Sequence, residues 1–227
     1  MTDMATPPPP MVLDPPQSSP VPPQTGSLPT SPTTGYAVEL YFDPALENQV
    51  LKSWNVLARR QLSTHLIDIS ARPHLTLLSF PASSSSLDPL RLLSPLRSLA
   101  ARLDPVPITL SSIASFPDSS ISTGTGTGTG TLFFAPVPTA ALLGLHAQLC
   151  ELIKKEGVEP PEGYRADAWV PSCAVAKEVP KGRLAEAFSV LREMKLPVSG
   201  YGMDIGLVEF PPVREIFSFP LGGGSDA

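Results

Sequence analysis

From residue 36 onward, apolar positions recur with two spacings that predict alternating strands and helices. The segment 36–42 is rich in β-branched and aromatic residues, which predicts a strand. An apolar stripe at helical spacing follows, and Asp43 stands where a helix N-cap is expected. The same patterns predict strands at 65–69 and 73–80 (or one interrupted strand), 106–116, 131–135, 169–176, 198–210 and 214–219, and helices at 43–60, 87–103, 138–155 and 180–195.

Each half of this order contains a short strand bracketed by helices, which indicates a duplicated unit. The two strands read RPHLTL at 72–77 and VPSCAV at 170–175, so a proline precedes a polar residue and an apolar run in both. Because successive side chains of a strand point to opposite faces, we expect His74 and Thr76 on one face. Ser172 and Ala174 occupy the matching positions of the second segment.

These two segments resemble the motifs of the two-histidine (2H) phosphoesterases, also called the RNA ligase/cyclic phosphodiesterase family. The family signature is a His-x-Thr/Ser motif that occurs once in each of two lobes. The resemblance covers about residues 36–220, and the second segment also has the Trp-x-Pro lead-in at 169–171. It implies an α+β fold with two pseudo-twofold-related lobes, whose antiparallel sheets face a central groove and whose helices lie outside.

The resemblance also implies a division of roles in the groove. In members that act on 2′,3′-cyclic phosphates, one imidazole deprotonates water and the other protonates the leaving oxygen, while the Thr or Ser hydroxyl binds phosphate. His74 is therefore the expected catalytic residue, and Thr76 and Ser172 are expected to bind substrate. Because Ser172 stands where the second histidine belongs and Ala174 lacks a hydroxyl, we expect weak or lost phosphodiesterase activity.

Three functions remain open on this interpretation. The chain is a weak phosphodiesterase, a module that binds a 2′,3′-cyclic nucleotide or an RNA-terminal phosphate, or a non-catalytic interaction scaffold. The intact first motif favours the first two, and the loss of both second-site groups favours binding over catalysis. No cofactor and no metal site is predicted.

Several other residues with reactive or titratable side chains are interpreted as structural. His146 lies on a predicted helix among leucines, His65 is assigned a structural or surface role, and strand alternation points the Cys173 thiol away from the groove. Two interpretations remain open for Tyr164, Arg165 and Tyr201. These residues line the groove, or they serve only as loop and packing residues.

Composition divides the chain into a tail and a body. Of the 29 prolines, 11 fall within residues 1–34, a composition typical of disorder, so we expect a Pro-rich tail that presents polyproline II segments to a partner or simply remains solvated. The folded domain is predicted at 35–220, followed by a flexible tail at 221–227.

Charge and cysteine content limit partners and compartment. The net charge is −5, and the tail contributes Asp3 and Asp14, so the body is nearly balanced and lacks the basic patch of a duplex-binding protein. The two cysteines have no zinc spacing, and the chain shows no apolar run long enough for a membrane span. We therefore expect a cytoplasmic or nuclear monomer that does not bind membranes.

Overall fold

A computed structural model describes residues 35–81, 88–117 and 128–223, and all of them belong to one unit, Pro32–Ala227. The strands are β1 (Gly35–Phe42), β2 (His74–Pro81), β3 (Val106–Pro117), β4 (Thr129–Pro136), β5 (Cys173–Pro180), β6 (Val198–Phe210) and β7 (Arg214–Pro220). The helices are α1 (Pro44–Arg59), α2 (His65–Asp68), α3 (Leu93–Ala100), α4 (Ala140–Lys155) and α5 (Leu184–Leu191). Short 3-10 turns lie at Pro89–Leu92, Glu162–Tyr164 and Lys181–Arg183.

The seven strands form one antiparallel sheet in the order β2-β1-β6-β3-β4-β5, with β7 also paired to β6. β6 is long enough to serve both halves, because residues 202–210 pair with β1 and residues 198–202 pair with β3. Antiparallel strands with helices packed against them confirm the predicted α+β class. The two half-sheets are joined through β6, and the end strands β2 and β5 contact each other. The fold thereby brings the two motif segments together.

Helix α1 shows how the apolar pattern becomes core. Its buried stripe, which joins the main hydrophobic cluster, consists of Leu46, Val50, Trp54 and Leu57. The Asp43 carboxylate accepts hydrogen bonds from the N–H groups of Ala45 and Leu46, at 2.8 and 3.1 Å, and from the Tyr201 N–H at 2.6 Å. Although burial alone would raise it, these three bonds lower the pKa of Asp43. The predicted cap therefore also ties α1 to β6.

The strand predicted at 65–69 is wrong, because these residues form helix α2 and its C-terminal turn. Leu66 is buried and Ile69 packs against the same core, whereas Ile67 between them is 44% exposed. Two core contacts three residues apart fit one helical turn and do not fit strand alternation. In so short a segment the two patterns look alike in sequence.

Three other elements are shorter than predicted. Of the helix predicted at 87–103, the described residues 88–103 provide only α3 and the 3-10 turn before it, and 180–195 provides only α5 and a 3-10 turn. The strand predicted from 169 begins at Cys173, after Pro171, which has no N–H to donate to a ladder. Ser172 therefore lies directly before β5 and not within it.

The two predicted tails lie wholly or partly outside the described residues. The Pro-rich segment 1–34, with its predicted disorder and partner contacts, is outside them, and so is 224–227. At the C-terminal end, Leu221 is 6% exposed and its N–H donates to the Met203 carbonyl at 2.7 Å. The packed body thus extends past residue 220. None of the described helices is both long enough and apolar enough to cross a bilayer.

Candidate functional site

The first motif lies on β2, where side chains alternate between core and cavity. Leu75 and Leu77 are fully buried in the core, whereas His74 and Thr76 on the other face line a cavity of about 530 Å³. The strand thus presents the two residues together, as the alternation predicted.

The His74 ring is held between two oxygen atoms. Its Nδ1 lies 2.6 Å from the Arg72 carbonyl oxygen, and its Nε2 lies 3.3 Å from Oε1 of Glu39, which is buried. A carbonyl oxygen only accepts, so Nδ1 carries a proton. The Nε2 contact is then favourable when one further proton lies between the imidazole and the carboxylate. His74 and Glu39 are therefore placed as an imidazole–carboxylate pair on the cavity wall.

Glu39 comes from the neighbouring strand β1, where it is the register partner of Thr76. The Tyr41 hydroxyl hydrogen-bonds this carboxylate, and burial, followed by the negative charge of Glu39, raises the pKa of Tyr41. The Arg72 guanidinium lies over the Tyr41 ring, 4.5 Å from its centroid. The Glu39 carboxylate thus contacts both the Tyr41 hydroxyl and the His74 ring.

The second motif has the same position in its half of the molecule but different side chains. Ser172 and Ala174 line a second cavity of about 400 Å³. Cys173 between them is completely buried, and burial raises the pKa of its thiol to about 12. The thiol therefore faces the protein interior, as alternation predicted, and it stays protonated at neutral pH.

The two tryptophans of the chain support the two motifs reciprocally. Trp169, which precedes the second motif, donates its Nε1–H to the Thr76 carbonyl at 3.2 Å. Trp54 of α1 donates its Nε1–H to the Ala174 carbonyl at 3.1 Å. Thr76 and Ala174 are the equivalent third positions of the two motifs, so each motif is anchored at the same atom by the other half of the chain.

The two cavities share four lining residues, which are Thr76, Thr131, Tyr164 and Lys177. We call the two cavities together the groove. His74 lines its first part and Ser172 its second part, with Thr76 common to both. Tyr164 closes the groove from the turn before the second motif, where its hydroxyl hydrogen-bonds Ser79. Burial, together with the charge of Glu39, raises the pKa of this hydroxyl.

The remaining candidates separate clearly. Tyr164 lines the groove, whereas Arg165 and Tyr201 are not among the residues that line its two cavities. His146 is buried and stacks on the Trp169 ring with 3.9 Å between centroids, and burial lowers its pKa to about 4. Its structural interpretation is confirmed. His65, also interpreted as structural, lies on the wall of the first cavity, where its Nδ1 is 3.1 Å from the Glu178 carboxylate.

Three charged residues that line the groove, Glu39, Lys177 and Glu178, were not predicted from the sequence. Glu39 is the one acidic residue in the otherwise apolar and aromatic strand YAVELYF, which is a signal that could have been followed. Lys177 follows the second motif and was overlooked, since plain alternation points it away from Ser172. Among the described residues, no group of three or more His, Cys, Asp and Glu side chains is arranged to hold a metal ion.

Comparison with known proteins identifies a matching family and similar solved structures. A family model described as the 2'-5' RNA ligase superfamily matches residues 42–210, more than half of the chain. The structure is similar to TT0787 of Thermus thermophilus, with a TM-score of 0.54 and 15% identity over 83% of this chain and 98% of that one. It is also similar to E. coli LigT complexed with NADP+, with a TM-score of 0.50 and 14% identity over 84% and 99%.

No curated protein matches the chain. At these identities the solved structures support the fold, and the family model supports membership. The resemblance inferred from the two motif segments is confirmed. The chain belongs to the 2'-5' RNA ligase superfamily, the 2H phosphoesterases.

Proposed function

We propose that the groove binds the phosphate of a 2′,3′-cyclic nucleotide or of an RNA end, and that hydrolysis there is weak or lost. One observation carries this proposal. His74 and Thr76 line the groove side by side, whereas Ser172 and Ala174 stand at the equivalent places of the second half. The groove keeps one complete set of phosphate-directed groups and lacks the other.

Binding draws on hydroxyl and imidazole groups that point into the groove. The Thr76 hydroxyl can donate to a phosphate oxygen, and so can the Tyr164 hydroxyl, whose raised pKa keeps it protonated. When a proton on Nε2 points to the ligand instead of to Glu39, His74 can donate this N–H to an anionic oxygen. E. coli LigT, a member of the same fold, forms a complex with NADP+, which supports a nucleotide as the ligand class.

Catalysis requires a second proton-transfer group that the second motif does not supply. The His74–Glu39 pair can protonate a leaving oxygen or deprotonate water, but one pair cannot do both in a single step. A serine hydroxyl is far too weak an acid or base to replace an imidazole, and losing one such partner costs about 10² to 10⁴ in rate. Alanine at 174 removes a donor to the transition state as well.

The test compares binding and hydrolysis of 2′,3′-cyclic AMP by wild type, His74→Ala and Ser172→His/Ala174→Thr. We expect wild type to bind with little hydrolysis, His74→Ala to bind more weakly, and the restored variant to hydrolyse about 10² to 10⁴ faster than wild type. Ser172→His alone and Ala174→Thr alone separate the two contributions.

His65→Ala provides the internal control for imidazoles, because His65 lines the first cavity without belonging to either motif. Rapid hydrolysis by wild type that disappears in His65→Ala would mean that His65 replaces the missing second histidine. The proposal that hydrolysis is weak or lost would then be wrong. Failure of wild type to bind 2′,3′-cyclic AMP, 3′-AMP and cyclic-phosphate-ended RNA would overturn the binding proposal.

A further inference from the structure

Strand β5 is irregular directly after the second motif. In its pairing with β4, Phe133 is opposite Ala174 but Leu132 is opposite Ala176. One step along β4 therefore corresponds to two steps along β5, which is a β-bulge. A second register shift follows between Leu132 and Gly130, where β5 again contains one residue more.

The first bulge changes which residues of β5 face the groove. A regular strand would turn residues 172, 174, 176 and 178 to one face and Lys177 to the other. In the structure Ala176 is opposite the core residue Leu132 and is itself fully buried. Lys177 consequently turns to the side of Ala174, and it lines both cavities of the groove.

The backbone at Lys177 and Glu178 is held in this irregular course. The Lys177 carbonyl accepts a hydrogen bond from the Ser63 hydroxyl at 2.8 Å. The next residue, Glu178, has φ of 56°, a left-handed conformation that residues with a side chain rarely adopt. Bulges beside active sites commonly re-aim a side chain, and here the re-aimed side chain is a cation.

None of the ion pairs among the described residues includes Lys177, and the adjacent carboxylate of Glu178 contacts His65. The Lys177 side chain is exposed, and among the residues that line the two cavities it is the one lysine or arginine, whereas two glutamates, Glu39 and Glu178, line the first cavity. An anionic ligand would therefore need a cation in the groove, and Lys177 is positioned to supply it.

We propose that Lys177 is an anion-binding residue of the groove, whose ammonium contacts the phosphate of the nucleotide or RNA end. It replaces the attraction, but not the proton transfer, that a histidine at 172 and a hydroxyl at 174 would provide. This inference rests on the proposed function, because it names the group that holds the phosphate in the second half of the same groove.

The test measures binding of 2′,3′-cyclic AMP and of uncharged adenosine to wild type, Lys177→Met and Lys177→Arg. Methionine keeps most of the side-chain length without the charge. We therefore expect binding of 2′,3′-cyclic AMP to weaken about tenfold or more, as for a lost charge-assisted contact, and binding of adenosine to stay unchanged. Arginine should retain binding within about threefold of wild type. Raising the salt concentration should weaken wild type more than Lys177→Met.

Lys181→Met is the matched control, since Lys181 is exposed, follows the end of β5 and lines neither cavity. Thermal unfolding of each variant establishes that it is folded. If wild type and Lys177→Met bind 2′,3′-cyclic AMP equally, the proposed role of Lys177 is wrong while the proposed function stands. If wild type binds none of the phosphate ligands, the proposed function fails, and the role of Lys177 fails with it.

Discussion

In the first half of the groove, β2 presents His74 and Thr76, and β1 adds the buried carboxylate of Glu39. In the second half, Ser172 and Ala174 occupy the equivalent places, and a bulged β5 adds Lys177. Each half is anchored by a tryptophan from the other. The frame of the duplicated unit is thus retained while its side chains differ, with an imidazole–carboxylate pair in one half and a lysine in the other.

This comparison explains why the two halves contribute differently to the groove. Hydrogen bonds to backbone carbonyls depend on strand position and survive changes of the groove-facing side chains. Proton transfer depends on the side chains themselves, and it is lost with a single substitution. The predictions below test the chemistry of the first half, the support of the second half, and the equivalence of the two anchors, in order of decreasing effect.

The largest effect is expected from Glu39→Gln, because the amide cannot share a proton with His74 as the carboxylate does. In the Ser172→His/Ala174→Thr background, which we expect to hydrolyse 2′,3′-cyclic AMP, Glu39→Gln should lower the rate by about 10². Binding of the nucleotide should change by less than about threefold. The matched control is Glu186→Gln on α5, which alters an exposed carboxylate that pairs with Arg183. A rate equal to that of the parent would show that Glu39 takes no part in proton transfer.

The support that the second half gives to the first motif should depend on pH through His146, which stacks on Trp169. The folded protein keeps the pKa of His146 near 4, whereas the unfolded chain binds this proton near pH 6.5. The unfolded state therefore binds more protons between these values, and the free energy of unfolding should decrease as the pH falls from about 6.5 to 4. We expect His146 to account for about 2 kcal/mol of this decrease, measured by urea unfolding.

His146→Phe keeps an aromatic ring against Trp169 and cannot take up a proton. The difference in pH dependence between this variant and wild type isolates the histidine from the carboxylates that also titrate in this range. Identical slopes for the two proteins would contradict the assignment of a buried, neutral His146.

The smallest effects are expected from the two anchors, tested as Trp54→Phe and Trp169→Phe. Each substitution keeps a ring and removes one hydrogen bond to a motif carbonyl, which should lower the free energy of unfolding by about 1 to 2 kcal/mol. Trp169→Phe should cost more of the two, because its indole also stacks on His146. The variants serve as each other's controls, and an effect confined to one of them would show that the anchors are not equivalent.

Local rules were sufficient where the apolar pattern was long and regular. Strand 198–210 was predicted with the bounds that β6 has, and the stripe and cap of α1 follow directly from spacing and from Asp43. They were insufficient at 65–69, where five residues fit both a strand and a helical turn, and at 169–172, where the residues up to Ser172 lie outside β5 although the motif continues into it. The residues of the two motifs were found, and their partners Glu39 and Lys177 were not.

The sequence by itself therefore determined the α+β class, the two motif segments and the loss of histidine at 172, because these depend on residue identity and on spacing within one element. The tertiary structure alone decided that Glu39 lies beside His74, that two tryptophans anchor opposite halves, and that Lys177 faces the groove. The first two depend on pairing between segments distant in the chain. The last depends on a bulge, which shifts the side-chain phase of β5 by one residue and is set by the partner strand β4.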